Sequence, residues 1–207
     1  IASCLVGSEM CIRDRPLCLS HIGRIADVKR QDRSVRILGE LHRRGYPFHL
    51  YLVGEKSSEA MYRACLDAAA EYGVADYVHM TGNQPQSVCR QYARNALATL
   101  LPGEWNRVNI FYEVMGEGCV VLTNNNHSVD EFIDRGNNCL VYDTEAEAAE
   151  QLIALLNDPQ RAQRIRANAH RTAIEQFLTL EKRFGMEAQL VMDTASGNDT
   201  AHYPEII

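Results

Sequence analysis

From residue 16 onward the chain alternates short apolar runs with longer stretches whose apolar residues recur every three or four positions. The first kind predicts strands and the second amphipathic helices. "PLCLSHIGRI" (16–25) is a strand. "RQDRSVRILGELHRRG" (30–45) is a helix, with Val35, Ile37, Leu38 and Leu41 on one face and Gly45 as its stop. Strand "PFHLYLVG" (47–54), helix 58–73, strand "DYVHMTG" (76–82) and helix 85–96 follow. Strand "LATLLP" (97–102), helix 108–118 and strand "CVVLTNN" (119–125) come next, then a short helix "SVDEFIDRG" (128–136) and strand "NCLVYD" (138–143). Helices at 144–158, 159–177 and 180–193 precede a tail, 194–207, with turn-type residues and little periodicity. Strands alternating with helices predict an α/β fold. It is a Rossmann-like doubly wound parallel sheet of about six strands, with helices on both faces and extra C-terminal helices. The strands read as continuous apolar runs, as expected where both faces are covered.

Composition narrows the class without changing the fold. The 207 residues suffice for one well-cored domain. A net charge of -6 argues against a nucleic-acid surface, which needs a basic face. No apolar run approaches the ~20 residues of a membrane span. The seven cysteines are scattered, odd in number and never CxxC, which fits reduced thiols better than disulfides or a zinc cage. The N-terminus has no basic segment and too short an apolar run for a secretory signal, so the expected location is the cytoplasm.

An open sheet of this kind binds ligands beyond the carboxyl ends of its strands, where the strand order switches. The loops there are "GRIADVKRQDR", "GEKSS", "GNQPQ" and "PGEWNRVN". In the first, Arg24 and Lys29 follow Gly23 beside a helix start, a pairing suited to a diphosphate. The plainer reading is a solvated basic loop, since Arg30 and Arg33 lie alongside. Glu113 falls one turn into the helix that opens near Val108, where a carboxylate can accept bonds from two vicinal ribose hydroxyls. The backbone N–H groups of Asn109, Ile110 and Phe111 can meet a phosphate at that helix end. A solvent-facing glutamate favoured by the helix dipole is the plainer reading there.

Taken together, "GRIADVK", "LYLVGE", "VHMTG", "NIFYEVMGEGCVVLTNN" and "NCLVYDTEAEAA" resemble, in order and spacing, the C-terminal domain of glycosyltransferase family 4 over about residues 17–192. These are retaining enzymes of the GT-B fold that use nucleotide-activated sugars. The resemblance implies that Arg24 and Lys29 hold the donor diphosphate and stabilise its leaving charge, with no metal. Glu113 would bind the ribose, and Asn83 and Gln84 would lie along the nucleobase. Gly23, Gly54 and Glu55 would line the same crevice. The family's first glutamate corresponds to Trp105, and Glu104 stands one residue out of register. Asn106 and Asn109 match a subgroup pattern "SNxGNVxxE", with Val108 in place of its glycine. Arg30 replaces the glycine after the loop lysine, at what is expected to be a tolerant helix-opening position. His127 is expected to be a loop residue and not a metal ligand, having no second ligand at i+4.

The expected boundaries are a non-native or disordered arm at 1–16, a nucleotide-sugar-binding domain at 17–178, and a C-terminal helix and loose tail at 179–207. Residues 5–15, "LVGSEMCIRDR", resemble a translated sequencing adapter and match no targeting signal. Too few residues precede the first strand for the acceptor-binding half of such an enzyme. The expectation is therefore the donor half of a glycosyltransferase, inactive alone, whose full form takes a saccharide or lipid-linked acceptor and can associate peripherally with membranes. A non-catalytic nucleotide-binding module is the alternative. A dehydrogenase domain is disfavoured, because no GxGxxG follows the first strand.

Overall fold

The computed structural model describes residues 17–104, 108–125, 131–176 and 180–197. Six parallel strands form one sheet: β1 (Cys18–Ile22), β2 (His49–Val53), β3 (Val78–Gly82), β4 (Thr99–Leu101), β5 (Val121–Asn124) and β6 (Leu140–Tyr142). Their spatial order is β3-β2-β1-β4-β5-β6. Seven helices accompany them among the described residues: α1 (Gln31–Arg43), α2 (Glu59–Glu71), α3 (Gln86–Asn95), α4 (Val108–Gly116), α5 (Glu145–Asn157), α6 (Pro159–Gln176) and α7 (Leu180–Ser196). The doubly wound α/β sheet expected from the apolar periodicity is therefore the one observed.

Alternation along the strands divides the core in two. Leu19, Leu50, Leu52, Leu100, Leu122 and Leu140 pack with Val35, Leu38 and Leu41 of α1, Cys65 and Ala68 of α2, and Leu152 and Leu155 of α5. On the other face Leu101, Val121 and Cys139 meet Ala93 of α3, Phe111, Val114 and Met115 of α4, and Ala169 and Ala173 of α6. Polar strand residues on that second side are satisfied internally. Ser20 and Thr99 share a 2.9 Å hydroxyl bond, and Thr123 donates to the Leu101 carbonyl at 2.8 Å. At the end of α2 the Tyr72 ring packs onto Gly39 of α1, leaving no room there for a Cβ. The five described cysteines are free thiols, and Cys65, Cys119 and Cys139 are buried as small core hydrophobes.

Several elements differ from expectation. The described part of the short helix at 128–136 is a turn. There the Asn138 side chain accepts the Asp134 N–H at 2.8 Å, and the backbone N–H groups of Asn137 and Asn138 return to the Asp134 carbonyl at 3.0 Å. Such local Asn and Asp bonding competes with a helix and here displaces it. The third strand begins at Val78, because Ala75–Tyr77 form a 3-10 turn. Thr194 to Ser196, expected in the loose tail, continue α7. The arm at 1–16 and the final residues from 198 lie outside the described residues. The chain divides into two compact units, one through Ala173 and a smaller one from Ile174 that contains α7.

Candidate functional site

In the first half of the sheet each new strand is added on one side of β1, and β4 then starts on the other side. Between β1 and β4 the path reverses, and all carboxyl ends share one edge, so a crevice opens at that point. Backbone bonds join the loops around it. Gly23 N–H donates to Val53 O at 2.9 Å, Ile25 N–H to Glu55 O at 2.8 Å, and Gly54 N–H to Gly82 O at 3.0 Å. Gly54 (φ +155) is required by this close approach, since a Cβ there would lie 2.1 Å from the Gly23 carbonyl oxygen. Ser58 caps α2 by accepting the Met61 N–H at 3.2 Å, and its hydroxyl donates to Asp27 in the first loop at 2.9 Å.

That first loop, residues 23–30, turns through a short 3-10 segment at Asp27–Lys29 before α1. Gln31, fully buried at the start of α1, holds it in shape. Its side-chain amide donates to Arg24 O at 2.8 Å and accepts the Ala26 N–H at 3.3 Å. Of the four cations clustered there, two are committed to carboxylates. Arg30 pairs with Asp32 at 3.1 Å and with Glu104 at 2.9 Å, and Arg33 pairs with Glu145 at 2.6 Å. Arg24 is exposed and has no carboxylate partner among the described residues; Lys29 is half-buried at the end of the turn. Beneath Lys29 lies His21, 1% exposed, with Nδ1 2.9 Å from the Ser34 hydroxyl. Burial, and then the Lys29 charge, hold this imidazole down to about 3, with Asp32 opposing, so it is neutral beneath the cations.

Across the crevice, the first turn of α4 presents backbone N–H groups that the helix itself does not satisfy. Asn109 and Glu113 are exposed on α4 and Ile110 is half-buried. Phe111 is fully buried, its ring edge-on to Phe132 at 5.6 Å, so only its backbone could face a ligand. Glu113 lies near α3: after burial, its charge helps push the Cys89 thiol up. Cys89 in turn donates to the Gln84 carbonyl at 3.6 Å, which places Gln84 and Glu113 on the same flank. Gln84 also donates its amide to Thr81 O at 2.8 Å, while Asn83 and Glu55 are exposed.

The structure thus assembles Gly23, Arg24, Lys29, Gly54, Glu55, Asn83 and Gln84 on adjoining loops, with Asn109 to Glu113 opening the next helix. It engages Glu104 with Arg30. Arg30 itself is not at an ordinary helix-opening position: it has φ 52° and ψ 48°, the left-handed region. That conformation is why glycine suits the site, and the expectation of a tolerant position is corrected accordingly. Trp105, Asn106, His127 and Ser128 lie outside the described residues. Sequence reasoning missed Gln31, His21 and the Arg30–Glu104 pair. The only signal for Gln31 was an uncharged residue inside "KRQDR". Among the described residues, no group of three or more His, Cys, Asp or Glu side chains could hold a metal ion, and no helix is long and apolar enough to cross a membrane.

Comparison with known proteins addresses the family directly. No curated protein sequence matches the chain. Among solved structures, Anabaena Alr3699/HepE in complex with UDP-glucose superposes with a TM-score of 0.74 at 16% identity, covering 90% of this chain and 50% of that one. The sucrose-phosphate synthase of Thermosynechococcus elongatus gives 0.73 at 19%, covering 89% and 47%. The C-terminal domain of the group 1 glycosyl transferase LpcC from Francisella tularensis gives 0.66 at 12%, covering 77% and 85%. At these identities the likeness is one of fold. The chain spans about half the length of HepE and most of the isolated LpcC domain. The family model for glycosyl transferases group 1 matches residues 12–172, beginning inside the adapter-like stretch and ending short of residue 192. With that match over most of its length, the chain belongs to the glycosyl transferases group 1 family.

Proposed function

We propose that this chain is the donor-binding half of a retaining glycosyltransferase, which moves a sugar from a nucleoside diphosphate to a saccharide or lipid-linked acceptor. The observation that carries this reading is the disposition of charge in the first loop. Asp32, Glu104 and Glu145 engage Arg30 and Arg33, while Arg24 stands exposed in the same loop, with Lys29 at the end of its turn beside the switch point. A diphosphate between them would also meet the N–H groups opening α4, and its charge would be stabilised as the glycosidic bond breaks. Glu113 would accept the ribose hydroxyls, and the Asn83–Gln84 loop on the same flank would contact the base. The HepE structure holds UDP-glucose, a ligand of the same chemistry, on a similar fold. The acceptor half of the enzyme would be a further domain, as the half-length coverage of HepE supports.

Calorimetric titration with UDP-, GDP- and ADP-glucose tests the reading. The wild type should bind one of them. Lys29→Ala should bind it about 10- to 100-fold more weakly, the loss expected for one charge-assisted phosphate contact. Equal affinity in both proteins, or none in either, would overturn the assignment.

A further inference from the structure

Arg30 is the only non-glycine residue with positive φ among the described residues. A left-handed backbone is unfavourable for an arginine, whereas glycine would adopt it without strain. The position therefore has an arginine for what its side chain does. The guanidinium forks to Asp32 through Nε and Nη2, both at 3.1 Å, and extends Nη1 to Glu104 at 2.9 Å. Asp32 is two residues away in the same helix start, but Glu104 is 74 positions distant, in the loop that follows β4. A second bond runs beside the first: the Glu104 N–H donates to the Val28 carbonyl at 3.1 Å. The loop after β4 is thus stitched to the loop carrying Arg24 and Lys29 at two points. These two loops flank the reversal in strand order, between β1 and β4.

We infer that Arg30 is a positioning residue, which clamps the two walls of the donor crevice together through Glu104. Lys29 immediately precedes Arg30, and α4 opens four residues after Glu104. The clamp therefore fixes the spacing between the cation loop and the start of the loop that follows β4, the two walls that would face one diphosphate. Glu104 acts here through Arg30, as the anchor on the far wall. Asp32 holds the guanidinium plane so that only Nη1 need reach across, a pre-organised fork that lysine would not reproduce. This rests on the donor-binding reading above.

The test uses the full chain and UDP, GDP and ADP as probes. Arg30→Gly removes the clamp and relieves the left-handed strain. It should weaken nucleoside diphosphate binding about two- to fivefold, the range for a half-exposed ion pair, while thermal stability holds or rises. Arg30→Asn, which tolerates the same backbone but cannot span to Glu104, should behave alike. Glu104→Gln should weaken binding by a similar factor, and the double variant Arg30→Gly/Glu104→Gln should be no weaker than either single one. Unchanged affinity in the single variants, losses that multiply in the double variant, or affinity falling in step with thermal stability would overturn the clamp and leave the donor-binding reading standing. A wild type that binds none of the three probes would overturn both.

Discussion

Acidification should destabilise this protein through histidines that burial holds below their ordinary value, and most of all through His21, with His79 adding in the same direction. The ring is 1% exposed on β1, bonded to Ser34, and held near 3 by burial and by the Lys29 charge. In the unfolded chain the same ring takes a proton below its ordinary value of 6.5. Because the folded value is the lower one, the unfolded state binds the extra proton. Stability is therefore unaffected above 6.5, and falls as the pH drops from 6.5 toward 3. At pH 5 the unfolded imidazole is about 1.5 units below its midpoint and the folded one remains neutral. The loss is then roughly 2 kcal/mol, and any folded value at or below about 4 gives nearly the same result. Against a typical stability of about 5–15 kcal/mol this is readily measured. Urea unfolding at pH 7.5 and pH 5 should show the wild type losing about 2 kcal/mol more than His21→Asn, which lacks the titrating ring but keeps a partner for Ser34. Equal pH dependence in the two proteins would refute the reasoning. The same neutrality keeps a second positive charge from forming under Lys29, so His21 also protects the cation loop from self-repulsion.

Other consequences follow from packing. Gly39→Ala gains helix propensity but drives its methyl into the Tyr72 ring, so urea unfolding should show a net loss of about 1–3 kcal/mol. Gln31→Leu keeps the volume and removes the bonds to Arg24 O and Ala26 N–H. It should lower stability by about 1–3 kcal/mol and weaken diphosphate binding in titration, because the Arg24 carbonyl and Ala26 N–H lose their partner. Gly54→Ala places a methyl against the Gly23 carbonyl and should abolish nucleotide binding while far-UV circular dichroism stays close to wild type.

Much of the fold was legible because burial on both faces writes a parallel strand as an unbroken apolar run, as in "CVVL" (119–122) at β5, where all four residues are buried. Periodicity failed where side chains bond to nearby backbone. "SVDEFIDRG" has a helical apolar spacing, yet Asp134, Asn137 and Asn138 close a turn there. The site was legible as a set of loops at strand ends, since Gly23, Arg24, Lys29 and Gly54 lie at fixed offsets from the strands. What holds those loops was not legible. Gln31 sits in a charged run and carries no sign that it is buried, and Arg30 meets Glu104 only after two βα units have folded between them. A left-handed arginine is likewise invisible to hydrophobic pattern.

The central claim is that nucleoside diphosphates bind in the crevice between the loops after β1 and β4. Amide chemical-shift mapping of the isotope-labelled chain during titration with UDP, GDP or ADP tests it most directly. The account predicts that the largest shifts cluster at Gly23–Lys29, Gly54–Glu55, Asn83–Gln84 and Asn109–Glu113. Shifts concentrated on other elements, or no saturable shifts with any of the three, would contradict it.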